Sequence, residues 1–373
     1  MPFSRVPTRL PRGSADVSSK ISIAGSVFTL IRLFYFGFTK MCRQFLHSSV
    51  ILRLHKKKKE CFILYAVIDI GSNTIRLVFY TIENNRIVPA LNTKSVAGLA
   101  AYCDRKGCLS ETGIARAVEI LSRFCEVTRH IAVDGLYPFA TASLRNIQNT
   151  VEVLDVIRAK CGLSVRVLTG QEEALFDYYG AISTLDTESG LLIDIGGGST
   201  ELVFFREREA KIAESLPIGS LNLFSHFVSG ILPTQTELDR IERAVFRYLE
   251  TIELPNSPLT FQPICAVGGT ARAAQKLHNL LNNLPNGNAQ YEYRDLKKIV
   301  SLLRHNPAKL TTLILQIAPE RIHTLIPGLL LLQSIAKYYQ SDTIITSPYG
   351  VREGFLHAVL AENGVLPPPS AQQ

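Results

Sequence analysis

The sequence has no tryptophan and only two methionines, and Asp, Glu, Lys and Arg together fill just 19% of its 373 positions. It has no CxxC pair, and its seven cysteines are an odd number. A zinc ribbon and a secreted disulfide framework are therefore not expected. Several of the cysteines sit in apolar stretches and read as buried thiols of a reducing, cytoplasmic compartment. Neither GxGxxG nor GxxxxGK[ST] occurs, which disfavours a dinucleotide-binding Rossmann site and a P-loop. Acidic residues are scarce in one place only. The first 62 residues hold 12 Lys and Arg against 2 Asp and Glu, while the other 311 hold 28 against 30. The net charge of +8 therefore belongs to the first segment. A basic body built to coat nucleic acid is excluded, and no nucleic-acid partner is expected.

Hydrophobic residues make up 46% of the chain, enough to bury a substantial core. At about 150 residues per domain, the length suggests two or three domains. Residues 1–62 stand apart as a basic extension. Ile21 to Phe38 is mostly apolar but carries Arg32, which makes it a poor spanning helix. Three readings compete for the extension: a targeting or membrane-surface segment, a signal or single anchor, and a non-functional upstream stretch joined to a body that begins near Ile63.

The body contains an internal repeat. Residues 68–80, IDIGSNTIRLVFY, align without a gap to residues 193–205, IDIGGGSTELVFF, and seven of the thirteen positions are identical. Each copy reads as an apolar strand ending in Asp-x-Gly, a small-residue turn and a second apolar strand. Around the copies, strands alternate with helical periods. Helices are predicted over Ser110–His130, Val151–Cys161, Gln171–Ile182 and Ile322–Tyr338. Strands are predicted over Gly135–Ala142, Leu163–Thr169 and Ile264–Val267. Such alternation implies an α/β fold of layered sheets, and two duplicated halves would face each other across a ligand-binding cleft.

Three small-residue turns suit phosphate: Gly71-Ser72-Asn73-Thr74, Gly196-Gly197-Gly198-Ser199-Thr200 and Gly268-Gly269-Thr270. Glycine lets backbone N–H groups approach an anion, hydroxyls and amides add donors, and a helix N-terminus adds its dipole. Asp69, Asp194 and Glu201 are candidate ligands for a hard divalent cation such as Mg²⁺. Arg76, Arg145, Arg272 and Arg352 each lie beside one of these segments, as phosphate-clamping arginines do. Taken alone, Glu172 and Glu173 read as a solvated acidic pair in a first helical turn.

The set 67–73 (VIDIGSN), 141–149 (TASLRNIQN), 171–174 (QEEA), 194–201 (DIGGGSTE), 215–219 (SLPIG), 268–270 (GGT), 326–328 (IPG) and 350–354 (GVREG) resembles the exopolyphosphatase/guanosine pentaphosphate phosphatase (Ppx/GppA) family, in the family's order. The resemblance runs from about Ile63 to Leu360. It implies a duplicated actin-like, ribonuclease H-like fold of two domains around a central cleft, here residues 63–182 and 183–360, with a tail at 361–373. The chain looks like a short, two-domain form.

The resemblance also implies roles. Glu173 matches the family's catalytic glutamate, which overturns the solvated reading. Asp194 and Glu201 match residues that hold the divalent ion. Asp69, Gly71, Ser72, Asn73 and Thr74 match the first phosphate loop, and Gly197, Gly198, Ser199 and Thr200 the second. Arg76, Arg145, Gly269 and Thr270 match further positions facing the phosphate chain. The reaction implied is Mg²⁺-assisted hydrolysis of the terminal phosphate of inorganic polyphosphate. Guanosine pentaphosphate is the alternative substrate, and non-catalytic polyphosphate or nucleotide binding the alternative function. A homodimer is implied by resemblance only. Val96, Ile147 and Pro348 depart from the family pattern, whereas the core acids and glycines are intact. An actin-like sugar or acid kinase should show an adenosine-binding segment and an Asp base in place of Glu173, and this sequence makes a case for neither.

Overall fold

The computed structural model describes residues 63–254 and 261–368; the extension at 1–62 and the end of the tail lie outside the described residues. The compact unit that begins at Tyr65 is built on two sheets. The first contains β1 (Leu64–Ile70), β2 (Thr74–Glu83), β3 (Arg86–Val96), β4 (Gly135–Ala140) and β5 (Arg166–Val167), in the spatial order β3-β2-β1-β4-β5. Its helices are α1 (Glu111–Ile131), the short α2 (Ala142–Arg145), α3 (Thr150–Cys161) and α4 (Gly170–Ile182). The second sheet contains β6 (Gly190–Ile195), β7 (Thr200–Arg206), β8 (Glu209–Leu216), β9 (Ile264–Val267), β10 (Gln290–Glu292) and β11 (Thr343–Thr346), in the order β10-β11-β9-β6-β7-β8. Its helices are α5 (Ser220–Phe227), α6 (Gln235–Leu249), α7 (Gly268–Leu281), α8 (Tyr293–His305), α9 (Pro307–Ile317), α10 (Leu325–Tyr338) and α11 (Val351–Glu362).

The two sheets repeat one plan. Three antiparallel strands in chain order are followed by strands added in parallel beside the first: β4 beside β1, and β9 beside β6. The repeat extends to single bonds. Gly71 N–H donates to Thr74 O at 3.1 Å, and Gly196 N–H to Ser199 O at 3.0 Å. The Ser143 hydroxyl donates to Ile70 O, and the Thr270 hydroxyl to Ile195 O. The fold is thus α/β and duplicated.

Elements differ from the sequence expectation mainly at their ends. β4 stops at Ala140, because Thr141 turns the chain into α2. The strand expected over Leu163–Thr169 pairs only at Arg166 and Val167, since it is an edge with one neighbour. Gly268-Gly269-Thr270, expected as a turn, is already the first turn of α7. α11 follows the second sheet in sequence, yet Phe355, Leu356 and Leu360 pack with Tyr65, Val67, Tyr80 and Phe139 of the first core. Residues 351–360, expected with the second domain, therefore share the first sheet's core.

α4 lies between the two cores. Phe176 packs with the first, while Ala174, Tyr178 and Ile182 pack with Leu192, Val203 and Cys265 of the second sheet. α4 and α11 cross backbone to backbone. A Cβ on Gly180 would lie 2.1 Å from Gly350 O, and one on Gly354 would lie 1.9 Å from Phe176 O. No residue but glycine allows this approach.

Candidate active site

Both Asp-x-Gly hairpins, the N-termini of α7 and α11 and one face of α4 converge on a cavity of about 160 Å³. Asp69, Gly71, Ser72, Asn73, Thr74 and Arg76 line it from the first sheet. Asp194, Gly196, Gly197, Gly198, Ser199, Gly269 and Arg272 line it from the second. The turns present donors. Ser72 O accepts from Ala100 N–H, Asn73 O from Ala97 and Gly98, and Gly197 O from Leu221. Gly198 O accepts from the Asn222 amide. The N–H groups of Ser72, Asn73, Gly197 and Gly198 have no acceptor among the described residues, as an anion-binding nest requires.

Glu173 enters on the first turn of α4. A capping box starts that helix: the Thr169 hydroxyl accepts from Glu172 N–H, and the Glu172 carboxylate accepts from Thr169 N–H. Glu172 is thereby spent on the helix end and on Arg166. Glu173, one residue on, turns inward and is 7% exposed. Arg145 Nη1 donates to its carboxylate at 2.6 Å and to Leu168 O at 3.1 Å. Burial pushes the Glu173 carboxyl up to about 7, although Arg145 pulls the other way. A carboxylate poised near neutrality suits a general base.

Asp194 and Glu201 face each other across the β6–β7 hairpin. Like charges placed directly opposite on neighbouring strands destabilise a sheet. The Ser215 hydroxyl donates to Glu201 Oε1 at 2.8 Å, but Glu201 Oε2 is buried with no partner among the described residues. No hydrogen bond or ion pair reaches Asp194 among the described residues, and burial raises both carboxyls. Gly268 makes the room. Its φ is +80°, and a Cβ there would lie 1.9 Å from Asp194 Oδ1. Among the described residues, no three His, Cys, Asp or Glu side chains enclose a cation unaided. The donor set nonetheless fits Mg²⁺, which takes one or two carboxylates and completes its shell with water and phosphate oxygens.

Asp69 is placed differently: Arg352 Nη1 donates to its Oδ2 at 3.1 Å. The structure does not bring every expected donor to the cavity. The Thr200 hydroxyl is fully buried and donates to Ile218 O, and the Thr270 hydroxyl holds Ile195 O, so both pin the backbone. Arg145 sits behind the wall and reaches Ser199 Oγ at 3.4 Å.

Four charged residues of the cavity stand outside the set expected for the site, Lys94, Asp177, Glu320 and Arg321, while Arg272 and Arg352, expected beside the turns, do line it. The repeat itself signals Arg272. It lies 127 residues after Arg145, the same offset that separates Thr270 from Ser143. Burial and the neighbouring Arg352 and Arg76 lower its guanidinium to about 10. Lys94, on β3, ion-pairs with Glu320 at 2.6 Å at the rim.

The chain matches the Ppx/GppA phosphatase family over residues 78–363. It is 30% identical over 305 residues to a guanosine-5'-triphosphate,3'-diphosphate pyrophosphatase of Aeromonas hydrophila, covering 80% of this chain and 60% of that one. It thus spans about 60% of the length of the Aeromonas relatives. A putative exopolyphosphatase of Haemophilus influenzae is 25% identical over 297 residues, covering 79% of this chain and 90% of that one. A crystal structure of the Aquifex aeolicus member of the family has a TM-score of 0.68 at 26% identity, covering 81% of this chain and 99% of that one. An exopolyphosphatase structure from Cytophaga hutchinsonii shares the fold, with a TM-score of 0.71 at 23% identity over 81% of this chain and 98% of that one. Family match, duplicated fold and cleft agree, and the chain belongs to the Ppx/GppA phosphatase family.

Proposed function

We propose that this chain is an exopolyphosphatase that removes the terminal phosphate of inorganic polyphosphate by in-line attack of water. The observation that carries this reading is Glu173, a buried carboxyl poised near neutrality between two donor-only turns. The terminal phosphate is held by the free N–H groups of both turns, by the Ser72, Thr74 and Ser199 hydroxyls, and by Arg76 and Arg272. Arg145 fixes the Glu173 carboxylate so that it accepts a proton from the attacking water. The water oxygen bonds to phosphorus as the bridging P–O bond breaks, and the proton passes to Glu173. Asp194 and Glu201 would hold Mg²⁺, which supplies charge neutralisation on the phosphate oxygens.

A second reading, hydrolysis of guanosine pentaphosphate by the same residues, is favoured by the names of the Aeromonas relatives. Phosphate release is measured from long-chain polyphosphate and from guanosine pentaphosphate, with Mg²⁺ and with chelator. Preference for polyphosphate supports the first reading, and the reverse preference the second. Glu173→Gln is expected to lower kcat by about 10³-fold, within the range of a lost general base. Full release by this variant would remove Glu173 from that role.

A further inference from the structure

Asp177 is a buried carboxylate that the proposed reaction leaves unused. It follows Glu173 by one helical turn on α4 and so shares its face. It is 0% exposed, yet it lines the cleft together with Glu173, Asp194 and Arg352. Its Oδ1 accepts from Val351 N–H at 2.8 Å. Val351 opens α11, and Gly350, the residue before it, has no side chain with which to cap that end. Asp177 therefore caps α11 from another helix. Its Oδ2 is buried with no partner among the described residues.

A helix cap needs one oxygen. A serine or asparagine would supply it without the cost of burying a charge. Asp177 shares the cleft wall with Asp194, which has no partner among the described residues, and Glu201, opposite Asp194 on β7 and behind that wall, has its Oε2 free there. Carboxylates that back a metal site through water orient its first shell, and their loss weakens the metal 10- to 100-fold, by about that much in most sites. We infer that Asp177 is a positioning carboxylate whose free oxygen accepts a hydrogen bond from a water on the divalent cation held by Asp194 and Glu201. The inference rests on the proposed cation site and adds a residue to it.

The test is Mn²⁺ binding to the full-length protein, read by electron paramagnetic resonance without substrate, with thermal unfolding alongside. Asp177→Asn keeps an oxygen for Val351 N–H and removes the charge. It is expected to weaken Mn²⁺ at least about tenfold with no loss of thermal midpoint. Unchanged Mn²⁺ affinity in this variant would reduce Asp177 to a helix cap and overturn the inference. Asp194→Asn serves as the control for the site itself. If it binds Mn²⁺ as the wild type does, the cation-site reading fails separately. Mn²⁺-soaked crystals of the unaltered chain give a result that no folding defect affects. An anomalous peak within about 5 Å of Asp177 Oδ2, the reach of one bridging water, agrees with the inference, and a peak beyond it overturns it.

Discussion

In the second hairpin the residue opposite the strand-terminal Asp194 is Glu201; at the equivalent position of the first, beside Asp69, stands Arg76. The backbones of the two turns share the bond that closes them, Gly71 N–H to Thr74 O and Gly196 N–H to Ser199 O. The charges differ. Asp69 also receives Arg352 from α11, so the first copy is neutralised by the protein itself. Among the described residues, the second copy holds two acids, one free buried oxygen and no cation within bonding distance apart from Arg145, at 3.8 Å from Glu201. One backbone thus carries two charge patterns: an acid paired with arginine in the first hairpin, and two facing acids in the second.

The comparison is most directly broken by exchanging acid for amide in each copy. Asp194→Asn is expected to lower the Mg²⁺-dependent kcat by about a thousandfold, the scale of a lost electrostatic stabiliser. Asp69→Asn should cost only about tenfold, because it perturbs a partner that is already paired. Phosphate release across a Mg²⁺ series checks both, and equal losses would make the hairpins equivalent. Removing the cations comes next. Arg352→Met strands Asp69 and should destabilise the fold by about 3 kcal/mol or more in urea unfolding. Arg272→Met breaks no ion pair and should cost less than about 1 kcal/mol.

A smaller contrast lies in the glycines. Gly268→Ala forces a side chain to φ +80° and against Asp194, at a cost of about 1–3 kcal/mol and with weakened metal binding. Gly71→Ala meets Thr74 O at 3.1 Å and Asp69 Oδ1 at 4.0 Å, and should cost under about 1 kcal/mol.

The smallest expected effect is on pH. Glu173, Asp177, Asp194 and Glu201 all have folded-state carboxyls raised by burial. The folded state therefore binds protons more tightly than the unfolded one. The stability these groups contribute is full below their ordinary values and is lost as pH rises through their folded values, near 7 for Glu173. Without divalent cation, the thermal midpoint should fall by a few degrees on this account between pH 5 and pH 7, and Glu201→Gln should flatten the slope. A slope that Glu201→Gln leaves unchanged would place the strain elsewhere.

Much of this was legible in the residues. The repeat announced the duplicated sheets, because seven identities in thirteen positions preserve both the strand pattern and the turn. Glycine and hydroxyl composition located the turns. Burial of Glu173 was not legible locally, since its pair Glu172-Glu173 looks like any solvated first turn. What distinguishes the two is Arg145, 28 residues away, and the capping box that uses up Glu172. Thr200 and Thr270 show the opposite limit: composition marks a hydroxyl as a donor but does not say whether it turns to a ligand or to a backbone carbonyl. Asp177 gave no signal, because nothing in its own segment shows that α11 will cover it.

The crossing of α4 and α11 at Gly180 and Gly354 has a mechanical consequence. Where two helices touch through side chains, rotamers take up small displacements; where they touch through bare backbone, there is nothing to take up slack. An ångström of travel in α11 is passed to α4 undiminished. Glu173 on one helix and Arg352 on the other are therefore carried as a single rigid part, so the buried carboxylate and the guanidinium that holds Asp69 keep their spacing whatever the width of the cleft.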